Sequence, residues 1–309
     1  MYTHINKMKK LVAGLSILSN VILTLLKIIV GIISGSLSII SEAIHSLSDF
    51  AASILTFFSV IKSSQPADKD HPYGHGKYED MSGFIEGILI VLASLFIIYE
   101  AVKKIIVGAS GTTENTLGIL VMLVAVVMNI IVSSLLFAVA KKSNSISLYA
   151  DGEHLRTDVF SSLGVLIGLV LIKITGYTVL DPIIALFVAA FIYRTGYTIS
   201  KKAIMRLLDY SLPNEDIEKI KEIVNGFDDL VKLKDNGIKA RQIGPSTDID
   251  LILQFPSDTS ICKCHKICDE IEKQIQTIYV NCSISIHSEP ICYINNCQDN
   301  CENKFSKYV

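Results

Sequence analysis

"SEAIHSLSDF", Ser41–Phe50, places a histidine and an aspartate four residues apart in an otherwise apolar neighbourhood. Residues i and i+4 share one face of an α-helix, with side-chain origins about 6 Å apart, so His45 and Asp49 can address one point. The arrangement recurs in "ADGEHLRTDVFSS", Ala150–Ser162, where His154 and Asp158 keep the same spacing. Two such faces meeting in a bundle would offer two imidazole nitrogens and two carboxylates, a donor set suited to a tetrahedral divalent ion and especially to zinc. The two carboxylates neutralise one divalent cation. A single His/Asp pair would also fit an ordinary interhelical hydrogen bond; its repetition on separate segments favours a shared site. Metal needs the deprotonated ligands, so binding is coupled to proton release, which gives a physical basis for exchanging protons for metal. Glu42, Asp151 and Glu153 lie nearer the segment ends and suit gating, hydration or supporting roles.

Around these pairs the composition is greasy. Half of the 309 residues are apolar and the mean hydropathy is +0.47, with the apolar runs confined to the first two thirds. A membrane-crossing helix needs about 20 mainly apolar residues. Six segments approach that length, at 11–33, 37–61, 82–103, 114–139, 146–172 and 177–199. The expectation is an α-helical membrane protein with six transmembrane helices over residues 1–208, the second and fifth turning their ionisable residues to the bundle interior. A soluble protein would have to bury six such helices in succession. The lysines ahead of the first run look like the start of a signal peptide, but the run is too long and lacks a small-residue cleavage site, so it is read as a first span. Lys7, Lys9, Lys10, Lys62, Lys69, Lys77, Lys141, Lys142, Lys201 and Lys202 fall on one side of this arrangement, with Lys103, Lys104 and Lys173 on the other. The bias predicts a multi-pass protein of the cell membrane, embedded in lipid, with both termini cytoplasmic.

After Lys202 the pattern changes. "LPNEDIEKIKEIVNGF" reads as an amphipathic helix between Pro213 and Gly226, 231–243 and the alternating "DIDLILQF" as strands, "SICKCHKICDEIEKQIQTI" as a second helix, and "CSISIHSEP" as a strand ended by Pro290. These make a small α+β domain over 209–291, followed by a polar tail, 292–309. All seven cysteines lie here. Their odd number argues against a disulfide framework and for the reducing, cytosolic side. Cys264 and Cys268 share a helical face, and with Cys292, Cys297 and Cys301 of the tail they would make a soft accessory metal cluster, or thiols without a metal role; Cys282 reads as a core or interface residue. A net charge of −2 without a basic aromatic-studded stripe excludes nucleic acid as a partner. No nucleotide-binding loop is present, so an ATP-driven pump is excluded, and no organic cofactor is expected.

Taken together, the paired motifs, the apolar helices and the α+β domain resemble the cation diffusion facilitator family of metal exporters, over residues 10–291. "QPADKDHPYGHGKYE", Gln65–Glu79, is similar to that family's loop between the second and third helices. The resemblance implies a homodimer working by alternating access, with His45, Asp49, His154 and Asp158 as transport ligands. Histidine at the first position resembles the zinc-selective members, with cadmium, iron, cobalt and manganese as other ions to consider. It also implies a loop metal site at Asp68, His71 and His75, and a charge pair, Lys77 with Asp209, linking membrane and soluble parts. The soluble part resembles a ferredoxin-like metal-sensing and dimerisation module, with His265, His287 and Glu289 as metal ligands and Asp269 nearby. Asn236 stands at an approximate histidine position of that pattern, so the usual two-metal arrangement is incomplete. The function expected is proton-coupled export of divalent metal, zinc first, from the cytoplasm, by a secondary transporter rather than an enzyme. The other classes are a membrane-anchored metal sensor without transport, and a membrane metallohydrolase, which lacks a reserved water site and general base.

Overall fold

A computed structural model of the chain describes residues 2–34, 37–107, 116–175, 180–227, 231–279 and 281–291. It divides into two compact units, Met1–Leu208 and Asp209–Val309.

The first unit is helical: α1 (Tyr2–Ser34), α2 (Leu37–Ser63), α3 (Lys77–Val107), α4 (Thr116–Ser143), α5 (Ile146–Thr175) and α6 (Leu180–Leu207). Among the described residues, four stretches are long and apolar enough to cross a membrane: Ile5–Val30, Lys77–Lys103, Leu123–Ser143 and Pro182–Leu207. This corrects the expectation of six transmembrane helices. Helices α2 and α5 have the length, at 27 and 30 residues, but their described residues supply none of the four stretches. Glu42, Asp49 and Lys62 lie in the first, and Asp151, Glu153, Arg156, Asp158 and Lys173 in the second. Helices carrying that many ionisable groups need protein rather than lipid around their polar faces, and both pack against their neighbours in the bundle.

Helices α3 and α6 pack most extensively, and two glycines permit it. A Cβ at Gly87 would stand 2.8 Å from the backbone nitrogen of Ser200, and one at Gly196 3.0 Å from the carbonyl oxygen of Gly87. Gly87→Ala should therefore push α6 off α3 and cost about 1–3 kcal/mol; a lowered thermal midpoint of the full chain in detergent checks this.

One end of the bundle is tied together by charge. Lys9 of α1 donates to Glu79 of α3, which also accepts from Ser63 of α2 at 2.5 Å and from Ser145, just ahead of α5. Arg206 of α6 lies 3.6 Å from Asp80. The lysine-bearing ends of α1, α2, α4 and α6 thus gather around the start of α3.

The second unit is α+β: α7 (Asn214–Asn225), β1 (Lys232–Ile243), β2 (Ser246–Pro256), α8 (Ile261–Ile278) and β3 (Cys282–Ile291). Its sheet has order β1-β2-β3, the first pair antiparallel and the second parallel. Alternation in β2 buries Thr247, Ile249, Leu251, Leu253 and Phe255 on one face, where Ile267, Ile271 and Ile275 of α8 and Ile220 and Val224 of α7 complete a core. A complete ferredoxin-like sheet would have four strands. Among the described residues there are three, plus one isolated antiparallel bridge, Ser211 to Arg241, ahead of α7; Pro213, which lacks an N–H, follows that bridge and starts the helix instead.

Candidate metal sites

Asp49 sits on α2 and His154 on α5, and the imidazole Nε2 lies 3.0 Å from the carboxylate Oδ1. Both side chains are buried. Asp158, one turn beyond His154, is half-buried. One ligand atom from each of the three falls within 4.8 Å of the others, so small side-chain rotations close them on a single ion. His45 occupies the turn of α2 before Asp49; its side chain lies outside the described residues.

Hydroxyl groups surround this cluster. Ser53, one turn past Asp49, donates to Asp151 Oδ1 at 3.2 Å and accepts from Asn20 Nδ2 at 2.6 Å. Further along the same face of α2, Thr56 donates to Glu86, which also accepts from Ser82 at 2.9 Å. Glu86 is fully buried and was not singled out in the sequence, although one acid inside the apolar "GFIEGILIV" is a signal that intramembrane ionisable residues give.

The loop between α2 and α3 brings a second set together. Asp68 Oδ1 accepts from the backbone N–H of His71 at 2.7 Å and of Asp70 at 3.1 Å, and its Oδ2 lies 3.2 Å from Nε2 of His75. The two imidazole rings are 4.4 Å apart. Gly74, at φ 83°, supplies the left-handed turn between them. The backbone bond from His71 holds the Asp68 carboxyl below its ordinary range, so it stays anionic. His75 is buried, and its Nδ1 lies 3.2 Å from the carbonyl of Pro66. That carbonyl can only accept, so Nδ1 donates to it and Nε2 is the atom left to face Asp68. Nε2 itself has no hydrogen-bond partner among the described residues, although Asp68 is within ion-pair distance. A carboxylate with two imidazoles within reach of one another suits a divalent cation. Replacing Asp68 and His75 together by alanine should remove one bound metal ion per protomer from the loaded protein and leave metal flux running, which element analysis beside a flux assay checks.

Within the helical unit Lys77 donates to the carbonyl of Leu207 at 3.4 Å, and within the α+β unit the Asp209 carboxylate lies 3.1 Å from Arg241. In the α+β unit His265 faces Asp269 at 3.6 Å and His287 faces Glu289 at 3.9 Å, both imidazoles well exposed. Glu289 is taken by Lys234 at 2.9 Å, which also lowers its pKa. Cys268 turns into the core, 3.7 Å from the Ser288 hydroxyl, and burial pushes its thiol pKa up; Cys264 is half-buried. Among the described residues this unit holds no cluster of three ligands. Cys292, Cys297 and Cys301 lie outside the described residues.

Residues 14–208 match the family described as the cation efflux transmembrane domain, and residues 212–291 the cation efflux protein cytoplasmic domain. An uncharacterized transporter of Synechocystis is 33% identical over 259 residues, covering 84% of this chain and 83% of the relative. An uncharacterized transporter of Methanocaldococcus jannaschii is 33% identical over 264 residues, covering 85% and 92%. The cation-efflux pump FieF of Escherichia coli is 28% identical over 269 residues, covering 87% and 88%. With helices able to cross a membrane and two His/Asp clusters, these matches define a multi-pass membrane transporter of metal cations rather than an enzyme. The chain belongs to the cation diffusion facilitator family.

Proposed function

We propose that the protein exports divalent metal, with zinc as the preferred substrate, in exchange for protons. The observation that carries this reading is the meeting of Asp49, His154 and Asp158 across two helices, with His45 one turn away on α2. The mixed nitrogen and oxygen donors suit zinc better than a hard cation such as magnesium. Each donor must lose its proton to bind metal. Acidification on the side that receives the ion therefore weakens the site, and release becomes proton-driven. Alternating access would follow from movement of α2 against α5.

Residues 1–208 act in this reading as the transport domain, 209–291 as a metal-sensing and dimerisation domain, and 292–309 as a tail. His265, His287, Glu289, Cys264 and Cys268, with Cys292, Cys297 and Cys301, remain its candidate accessory ligands, and a homodimer is the working assembly. The cluster of lysine-bearing helix ends around Glu79 supports placing that end, and both termini, at the cytoplasmic face.

Proteoliposomes containing a zinc-sensitive dye test the proposal. Zinc accumulation should rise with an imposed pH gradient and collapse with a protonophore. Metal binding without net flux would instead favour a membrane-anchored sensor.

A further inference from the structure

We propose that the recess where α4, α5 and α6 meet holds the phosphate of an anionic phospholipid headgroup. The recess encloses about 440 Å³, the size of a small-ligand pocket. Lys141 comes from the end of α4, Arg156 from α5, and Lys202 and Arg206 from the end of α6; Glu153 is the single carboxylate in the lining. Arg206 is shared with Asp80 at 3.6 Å and Arg156 with Glu153 at 3.8 Å. Among the described residues no carboxylate lies within ion-pair distance of Lys141 or Lys202. The recess therefore holds more positive charge than its own acids balance. The start of α5 forms part of the wall at Ser145 and Ile146, adding the positive end of a helix dipole to the same space.

Its position selects a lipid as the source of the phosphate. Lys141 lies near the end of the apolar stretch Leu123–Ser143, and Lys202 near the end of Pro182–Leu207, the level at which headgroups meet helix ends. The Arg156 guanidinium stacks on Phe137 and Phe160, at 5.7 and 5.4 Å from their centroids. Phe160 meets Phe191 edge-on at 5.4 Å, and Phe191 is 56% exposed on the flank of α6. An aromatic track thus runs from the charged recess to lipid-facing surface, where an acyl chain can lie. A free anion makes no use of that track.

The test measures the thermal midpoint of the full-length protein, delipidated in detergent, against added phosphatidylglycerol, phosphatidylcholine or inorganic phosphate. Phosphatidylglycerol should raise the midpoint; the other two at equal concentration should not. Reversing Lys141→Glu and Lys202→Glu, both exposed, should weaken the phosphatidylglycerol response about tenfold or more and leave the lipid-free midpoint in place. Should the reversals impair folding, Lys141→Gln with Lys202→Gln is expected to act in the same direction. An equal response to phosphatidylcholine, or a folded double variant that responds like the parent, overturns the proposal. A full shift from inorganic phosphate overturns the assignment to lipid.

Discussion

Asp49→Ala and Asp158→Ala should each lower metal flux in proteoliposomes by about 100-fold or more, because outer contacts to a metal ligand alone are worth 10–100-fold in affinity and these residues are proposed as the ligands themselves. Asp49 has the larger expected effect. It is buried and lies 3.0 Å from His154, so its removal takes away a donor and leaves the imidazole without its carboxylate. Asp158 is half-buried, and water can replace it in part. Asp49→Asn is the sharper variant, since it keeps the shape and removes the charge. A carboxamide oxygen does not neutralise a divalent ion, so Asp49→Asn should fall with Asp49→Ala. The two carboxylates also make flux depend on pH. Lowering pH on the loading side should reduce initial rates, since protons compete for the same atoms. Thermal midpoints near that of the parent would show that lost flux is not lost folding.

The second large effect is on stability. Lys9 and Glu79, 70 positions apart in the chain, form an ion pair with both side chains out of contact with solvent. Breaking such a pair by removing one partner costs about 3–5 kcal/mol, because the other charge stays buried without compensation. Lys9→Met should produce that loss as a lowered unfolding midpoint. Glu79→Gln should do the same, although its amide oxygen still accepts from Ser63 and Ser145. The double variant, which buries neither charge, should recover most of the loss, a coupling that only a contacting pair shows. Additive destabilisation would mean that the two residues act separately.

Some of this was legible in the sequence. The alternation of "DIDLILQF" marks the inward face of β2, and Pro213 and Gly226 bracket α7. Spacing alone put Asp49 on one helix face and His154 on another, but which helices pack together is a property of the whole bundle. Length alone suggested six spans; among the described residues four stretches are long and apolar enough, and α2 and α5, which carry the paired ionisable residues, supply none of them. The Lys9–Glu79 tie was invisible for a different reason, because it is set by how α1, packed on α2 and α4, brings its lysine to the start of α3, and no local pattern encodes that. In α8, helical spacing puts Cys264 and Cys268 on one face; that face turns toward the core, so the second thiol packs beside Ile271. The loop was more readable, since Pro66, Pro72 and Gly74 force a turn that draws Asp68 and His75 together.

The central claim is that faces of α2 and α5 close on one divalent ion. An anomalous-scattering map of the full-length protein loaded with zinc, recorded at the zinc absorption edge, tests it most directly. A peak bonded to Asp49, His154 and Asp158, about 2.0–2.2 Å from nitrogen and oxygen and lost in Asp49→Ala, is the expected result. Zinc held only at other residues in a preparation that transports it would contradict the claim.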